Sequence, residues 1–185
     1  MKKAICTLRS LSPYSQSKHY TVPKLEKEIP KDYEIRTWRE RLHVTEEGQV
    51  FIPPTAFKNC LSEAAKYLSM QIPGKGKNLY TKHFEAGVMV AEPLLLPIKK
   101  DEVEGEWLFL PADGKRGSGK RVDKCYPRIP KWEGQVEFLI LDETITKDPF
   151  LEHIEGAGSF IGIGRFRPRN NGFYGRFEVV KVDWK

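Results

Sequence analysis

PTAFKNCLSEAAKYLSM, residues 54 to 70, decides how the rest of the chain is read. Its apolar positions 57, 60, 61, 64, 65 and 68 follow the i, i+3, i+4 recurrence of a helix with one face on a core, and Pro73-Gly74 ends it. Upstream, GQVFIPP (48–54) reads as a short strand entering that helix, and KKAICTLRS (2–10) alternates as a first strand. SPYSQSKHY (12–20) turns away from this strand through Pro13, and residues 13 to 50 read as irregular. Downstream, PGKGKNLYTK (73–82) is a basic glycine loop, FEAGVMVAEPLLLP (84–97) a buried strand and EWLFLPADG (106–114) a shorter one. QVEFLILD (135–142) is a strand, DPFLEHIEGAGSF (148–160) a second helix and YGRFEVVKVDW (174–184) the closing strand.

The core order is then strand (about 2–9), helix (54–70), strand (84–92), strand (135–142), helix (148–159), strand (173–183). This βαββαβ order predicts an α+β, ferredoxin-like or RRM-like fold: an antiparallel sheet with two helices on one face and the other face free for a ligand. The expectation is one domain over 1–185 with insertions at about 10–50 and 93–134, too long for turns and so read as functional arms.

Composition agrees. A chain of 185 residues, 39% apolar and 30% charged, buries a real core. No apolar run approaches the roughly 18 residues of a membrane helix, and MKKAICTLRS lacks a signal-peptide core, so a soluble cytoplasmic protein is expected. Cys6, Cys60 and Cys125 are far apart and odd in number, which predicts inert core thiols and neither disulfide nor zinc site. His19, His43, His83 and His153 show no metal-ligand spacing and read as polar surface residues, with His19 and His83 as minor anion partners. No metal, cofactor or membrane partner is implied.

Charge is unevenly placed. The net charge is +6; from Asp113 to Lys131 seven cations face two carboxylates, and GSFIGIGRFRPRNNGFYGRF (158–177) carries four arginines and no carboxylate. Such separation suggests a polyanion on one face. In the second stretch Gly156, Gly158, Gly162 and Gly164 permit backbone conformations and close approaches that a Cβ would block. A loop without side-chain bulk brings amides against phosphates, and Arg165, Arg167, Arg169 and Arg176 add forked donors. Phe166, Phe173 and Tyr174 either stack bases or pack under the loop.

A βαββαβ core whose second helix ends in GAGSFIGIGRFRPRNNGFYGRF resembles the RAMP superfamily, and within it the Cas-seven family of CRISPR backbone subunits. FIPPTAFKNCLSEAAK is similar to that family's segment leading into a first helix with a basic residue near its start, here Lys58. The resemblance implies a subunit that holds single-stranded (guide) RNA by its phosphates; no nucleophile with its base and no carboxylate pair is legible in the sequence, so no catalysis is expected. It also implies other effector subunits as partners, homo-oligomerisation into a filament on RNA, and a thumb-like hairpin, for which residues 93–134 with GKRGSGKRVDKCYPR are the candidate. Expected RNA contacts are Lys58, Lys75, Lys77, Arg116, Lys120, Arg121, Lys124, Arg165, Arg167, Arg169 and Arg176, with Trp38 and Tyr14 as stacking or wedging residues. The chain is shorter than typical members, which admits a solitary relative from a mobile element. The alternative is a phage-encoded anti-CRISPR mimic that binds a host complex and blocks its assembly.

Rival motifs are weaker. GKRGSGK (114–120) fits a P-loop spacing, but Arg121 stands where a Ser or Thr reaches magnesium, and RVDKCYPRIP supplies no helix. GAGSFIG follows a helix where a dinucleotide fingerprint needs a strand. Asp32 occupies a region loosely comparable to that of a cleaving acid in some RAMP relatives, yet one carboxylate in a charged loop is usually only solvated.

Overall fold

The computed structural model describes residues 1–185 apart from Arg116 and Ser118. Among the described residues a central antiparallel sheet has the order β3-β7-β1-β8, built from β1 (Lys2–Ser10), β3 (Val88–Met89), β7 (Glu133–Ile140) and β8 (Phe177–Trp184). The helices α2 (Pro54–Leu68) and α4 (Lys147–Gly156) complete the expected βαββαβ core. The alternation foreseen for β1 is real: Ala4, Cys6 and Leu8 are buried on the helix side. Val136 and Phe138 of β7 lie beside Cys6 and Ala4 in register, and Phe57 of α2, Trp132 and Phe177 form an aromatic triangle with centroids 6.1 to 6.4 Å apart. All three cysteines are buried free thiols, and burial pushes Cys6 up to about 12.

Several expectations need correction. The strand placed at 84–92 begins as helix α3 (Thr81–Gly87), leaving only Val88–Met89 for the sheet. Lys58 explains this: its ammonium donates to the carbonyls of Phe84 and Glu85, satisfying the end of α3 where a strand would turn them elsewhere. Residues 13–50 are not irregular throughout, since they contain α1 (Pro30–Thr37) and a 3-10 turn at Trp38–Arg41. The 93–134 insertion supplies β4 (Leu94–Lys99), which pairs with β2 (Gln49–Ile52), and the hairpin β5 (Glu104–Pro111) with β6 (Arg121–Arg128). His153, read as a surface residue, is buried in the core, stacked on Phe84 at 4.1 Å, and His83, read as an anion partner, instead bonds the Asp142 carboxylate at 2.6 Å.

The two insertions fold against each other. Glu34 of α1, 1% exposed, pairs with Arg41 at 2.8 Å and Lys124 at 3.2 Å and accepts the Cys125 amide on the outer edge of β6. A buried carboxylate with three donors closes an edge that would otherwise stay unpaired.

Candidate nucleic-acid interface

The open face of the sheet does not suit a polyanion. It carries Lys3, Ile5, Thr7 and Arg9 from β1, flanked by Glu133, Glu137, Glu178 and Asp183 from the neighbouring strands. Lys3 pairs with Glu137, Arg9 with Glu178 and Lys181 with Asp183, so the cations are matched and no aromatic ring from β1 or β7 points outward. The glycine-rich stretch lies on the other side, among α2, the Tyr14–Ser15 arm and the β5–β6 hairpin.

Its path follows from close approaches within the protein. After α4 the chain makes a π-helical turn at Ala157–Ile161, where a Cβ on Gly158 would strike the Phe177 carbonyl. Gly164, at φ +76°, passes against the Ser15 carbonyl and the Tyr14 ring. Residues 166 to 174 then close into a lobe: Tyr174 donates to the Phe166 carbonyl at 2.8 Å and Gly172 to that of Arg167 at 3.0 Å. Its tip is a 3-10 turn at Pro168–Asn170.

The four arginines have different roles. Arg165 pairs with Glu106 at 2.9 Å, donates to Ser15 Oγ and stacks on Tyr126 with its Cζ 4.1 Å from the ring centroid. Arg41 covers the same tyrosine at 5.0 Å and meets Tyr20 at 5.2 Å, so rings and guanidiniums alternate as a column joining lobe, hairpin and N-terminal insertion. Arg167 pairs with Glu63 of α2 at 2.8 Å. Arg176 is partly buried, its amide donating to Ser12 Oγ and its Nε without a partner among the described residues. Arg169 stands exposed on the lobe tip, with no ion pair among the described residues.

What the structure assembles is a furrow along α2. At the helix N-terminus a cavity of about 320 Å³ lies between Lys18, His43, Thr55, Asn59 and Arg165. Asn59 also lines the next hollow, with Lys58, Ser62, Lys66 and Glu85, and Lys66 and Glu63 continue into a third beside Arg167, Arg169 and Asn170. Six cations thus border the furrow: Lys18, Lys58, Lys66, Arg165, Arg167 and Arg169. They meet Glu63, Glu85 and Glu106, and the remaining charge is positive. Burial and the nearby Lys18 hold His43 below its usual pKa, so it is neutral at pH 7. Burial also lowers Lys58, although Glu85 opposes this, and its ammonium is occupied by Ser62 Oγ and two carbonyls.

Of the other residues singled out from the sequence, Lys75 and Lys77 are exposed in the turn beyond the C-terminal end of α2. Lys120 and Arg121 sit at the end of the β5–β6 hairpin, with Arg121 over the Phe109 ring; Arg116 lies outside the described residues. Lys124 faces Glu34 inside the joint between the insertions. Trp38 and Tyr14 are 6% and 2% exposed, so they pack and do not wedge. GKRGSGK leads into strand β6, which removes the P-loop reading. Asp32 is exposed in the first turn of α1. The furrow residues Lys18, Asn59 and Lys66 were not foreseen, although 59, 62, 63 and 66 form the polar complement of the apolar stripe on α2.

No family model and no curated protein matches the chain. Solved structures do. A chain of the Type III-B Cmr-beta complex bound to cognate target RNA superposes with TM-score 0.56 at 11% identity, over 99% of this chain and 60% of that one. Cmr6 from Pyrococcus furiosus gives TM-score 0.48 at 13% identity, over 97% of this chain and 99% of that one. The Cmr-beta likeness shows a shared α+β fold of ferredoxin-like arrangement, and the chain spans about 60% of the length of that neighbour.

Proposed function

We propose that the chain is a RAMP-type backbone subunit that binds single-stranded RNA through its phosphates within a CRISPR-type ribonucleoprotein. The observation that carries this is the furrow along α2, bordered by cations in excess of carboxylates, on a fold shared with a chain of an RNA-bound complex. Its 15 residues give a track of about 22 Å, enough for a few nucleotides of extended backbone. Arg169 and Lys18 meet phosphates directly, and Lys66, 61% exposed in its pair with Glu85, exchanges partners readily. The dipole of α2 and the Thr55 amide, the first N–H after Pro53 and Pro54, add a positive end to the track. Arg165 and Arg167 shape the lobe from behind, and Arg121 with Lys75 and Lys77 extends the positive surface past the furrow.

On this reading the chain binds and does not cut, other effector subunits and further copies of the chain are its partners, and the β5–β6 hairpin is the thumb-like arm. Purification tests it. Co-purifying RNA that leaves on nuclease treatment, with affinity falling steeply between about 0.05 and 0.2 M salt, is the expected result. A nucleic-acid-free protein with salt-independent association contradicts it, and capture of an intact host complex by such a protein would establish the mimic.

A further inference from the structure

Phe166 and Phe173 are not packed under the lobe. The two residues are 49% and 56% exposed, and both rings stand edge-on to Tyr174, with centroids 5.7 and 6.2 Å away. Tyr174 is the anchored member: its hydroxyl donates to Glu106 at 2.6 Å and its amide to the Phe166 carbonyl. Phe166 also has φ +56°, a left-handed conformation unfavourable for a residue with a bulky side chain. The surrounding structure imposes it, since Gly172 crosses so close that a Cβ there would strike the Phe166 carbonyl. Backbone strain of this kind persists only where the surrounding structure over-determines it and clusters at functional sites, and here it holds an aromatic residue out in solvent.

We infer that Phe166 and Phe173, braced by Tyr174, form a stacking platform for an unpaired nucleobase of the strand whose phosphates follow α2. The inference rests on the RNA-binding reading above. Three features favour a base over a protein side chain. In sequence the rings stand among Arg165, Arg167 and Arg169, while Glu106 and Glu63, the carboxylates that meet this stretch, are already matched by arginines, so the surroundings are cationic. Arg169 on the same lobe is placed to hold the phosphate next to a stacked base. A ring face accepts any base, which suits a site that grips backbone without reading sequence.

The test uses the full chain and a short single-stranded oligoribonucleotide carrying one 2-aminopurine, beside an abasic oligomer of equal length. Phe166→Ala and Phe173→Ala are each expected to weaken binding of the base-bearing strand about tenfold and to abolish 2-aminopurine quenching. The abasic strand and the salt dependence should be unaffected, because a ring carries no charge. Phe166→Tyr should bind as the parent does. Phe166→Gly relieves the left-handed backbone, so this variant should melt no lower than Phe166→Ala and still lose the base-dependent affinity. Equal affinities for parent and alanine variants overturn the platform and leave RNA binding standing; failure of the parent to bind any strand overturns both. Equal losses on the abasic strand, or lost self-association at unchanged RNA affinity, would assign the rings to the fold or to a protein partner and also overturn it.

Discussion

Two arginines four positions apart should respond in opposite ways to the same change. Arg165 has an 18% exposed side chain, and its truncation removes the Glu106 pair, the Ser15 bond and the stack on Tyr126 at once, leaving Glu106 with the Tyr174 hydroxyl alone among the described residues. A pair at this depth falls between the buried and exposed limits, at about 2 kcal/mol, and the ring stack adds about 1 kcal/mol. Arg165→Ala should therefore lower the melting temperature by about 6–12 °C. Arg169 is solvent-exposed with no ion pair among the described residues, so Arg169→Ala should melt within about 2 °C of the parent. Its effect belongs to binding: losing one phosphate contact reduces the slope of log affinity against log salt by about 0.7 for a single strand. Thermal unfolding and fluorescence anisotropy over a salt series measure both quantities on the same preparations. An unchanged melting temperature in Arg165→Ala would refute the internal lock, and an unchanged slope in Arg169→Ala would remove the lobe tip from the phosphate path.

Other consequences are as direct. Glu34→Ala leaves Arg41, itself buried, without its carboxylate and the Cys125 amide without an acceptor; a loss of about 3–5 kcal/mol in urea unfolding is expected, and Glu34→Gln, which keeps an acceptor, should lose less. Gly158→Ala places a methyl against the Phe177 carbonyl and should cost about 1–3 kcal/mol by the same assay. His153 is neutral in the core, its pKa lowered by burial although the Pro149 carbonyl bond opposes this. The unfolded chain takes up the proton first, so this contribution is complete above pH 6.5 and is lost as pH falls below it. His153→Phe should flatten the stability profile across that interval, as followed by melting temperature.

The parts of the fold legible in sequence are those where local pattern and tertiary demand coincide. The stripe 57, 60, 61, 64, 65 and 68 gave α2 because those side chains meet the sheet, and β1 showed itself by alternation, whereas β7 was read from its large apolar residues and α4 and β8 from their place in the order. RVDKCYPR gave no strand signal because proline argues against a ladder. Yet Pro127 shares its edge with Cys125, whose amide points away from β5 to Glu34, so no ladder bond is lost there. Helix α3 was hidden because Lys58, distant in sequence, completes its end. The site was half legible. The glycine loop and its arginines were visible as composition, but which guanidiniums are neutralised depended on Glu63 and Glu106, far away in the chain. The side of the sheet on which the loop lies was equally invisible, because period-2 alternation says which residues share a face and not what covers it.

Photo-crosslinking of a bound single-stranded RNA, followed by mass-spectrometric mapping of the modified peptides, tests the central claim most directly. The account predicts crosslinks within residues 54–68 and 163–176, on α2 and the glycine lobe. Crosslinks confined to residues 2–10 and 133–140, on the open face of the sheet, would contradict it.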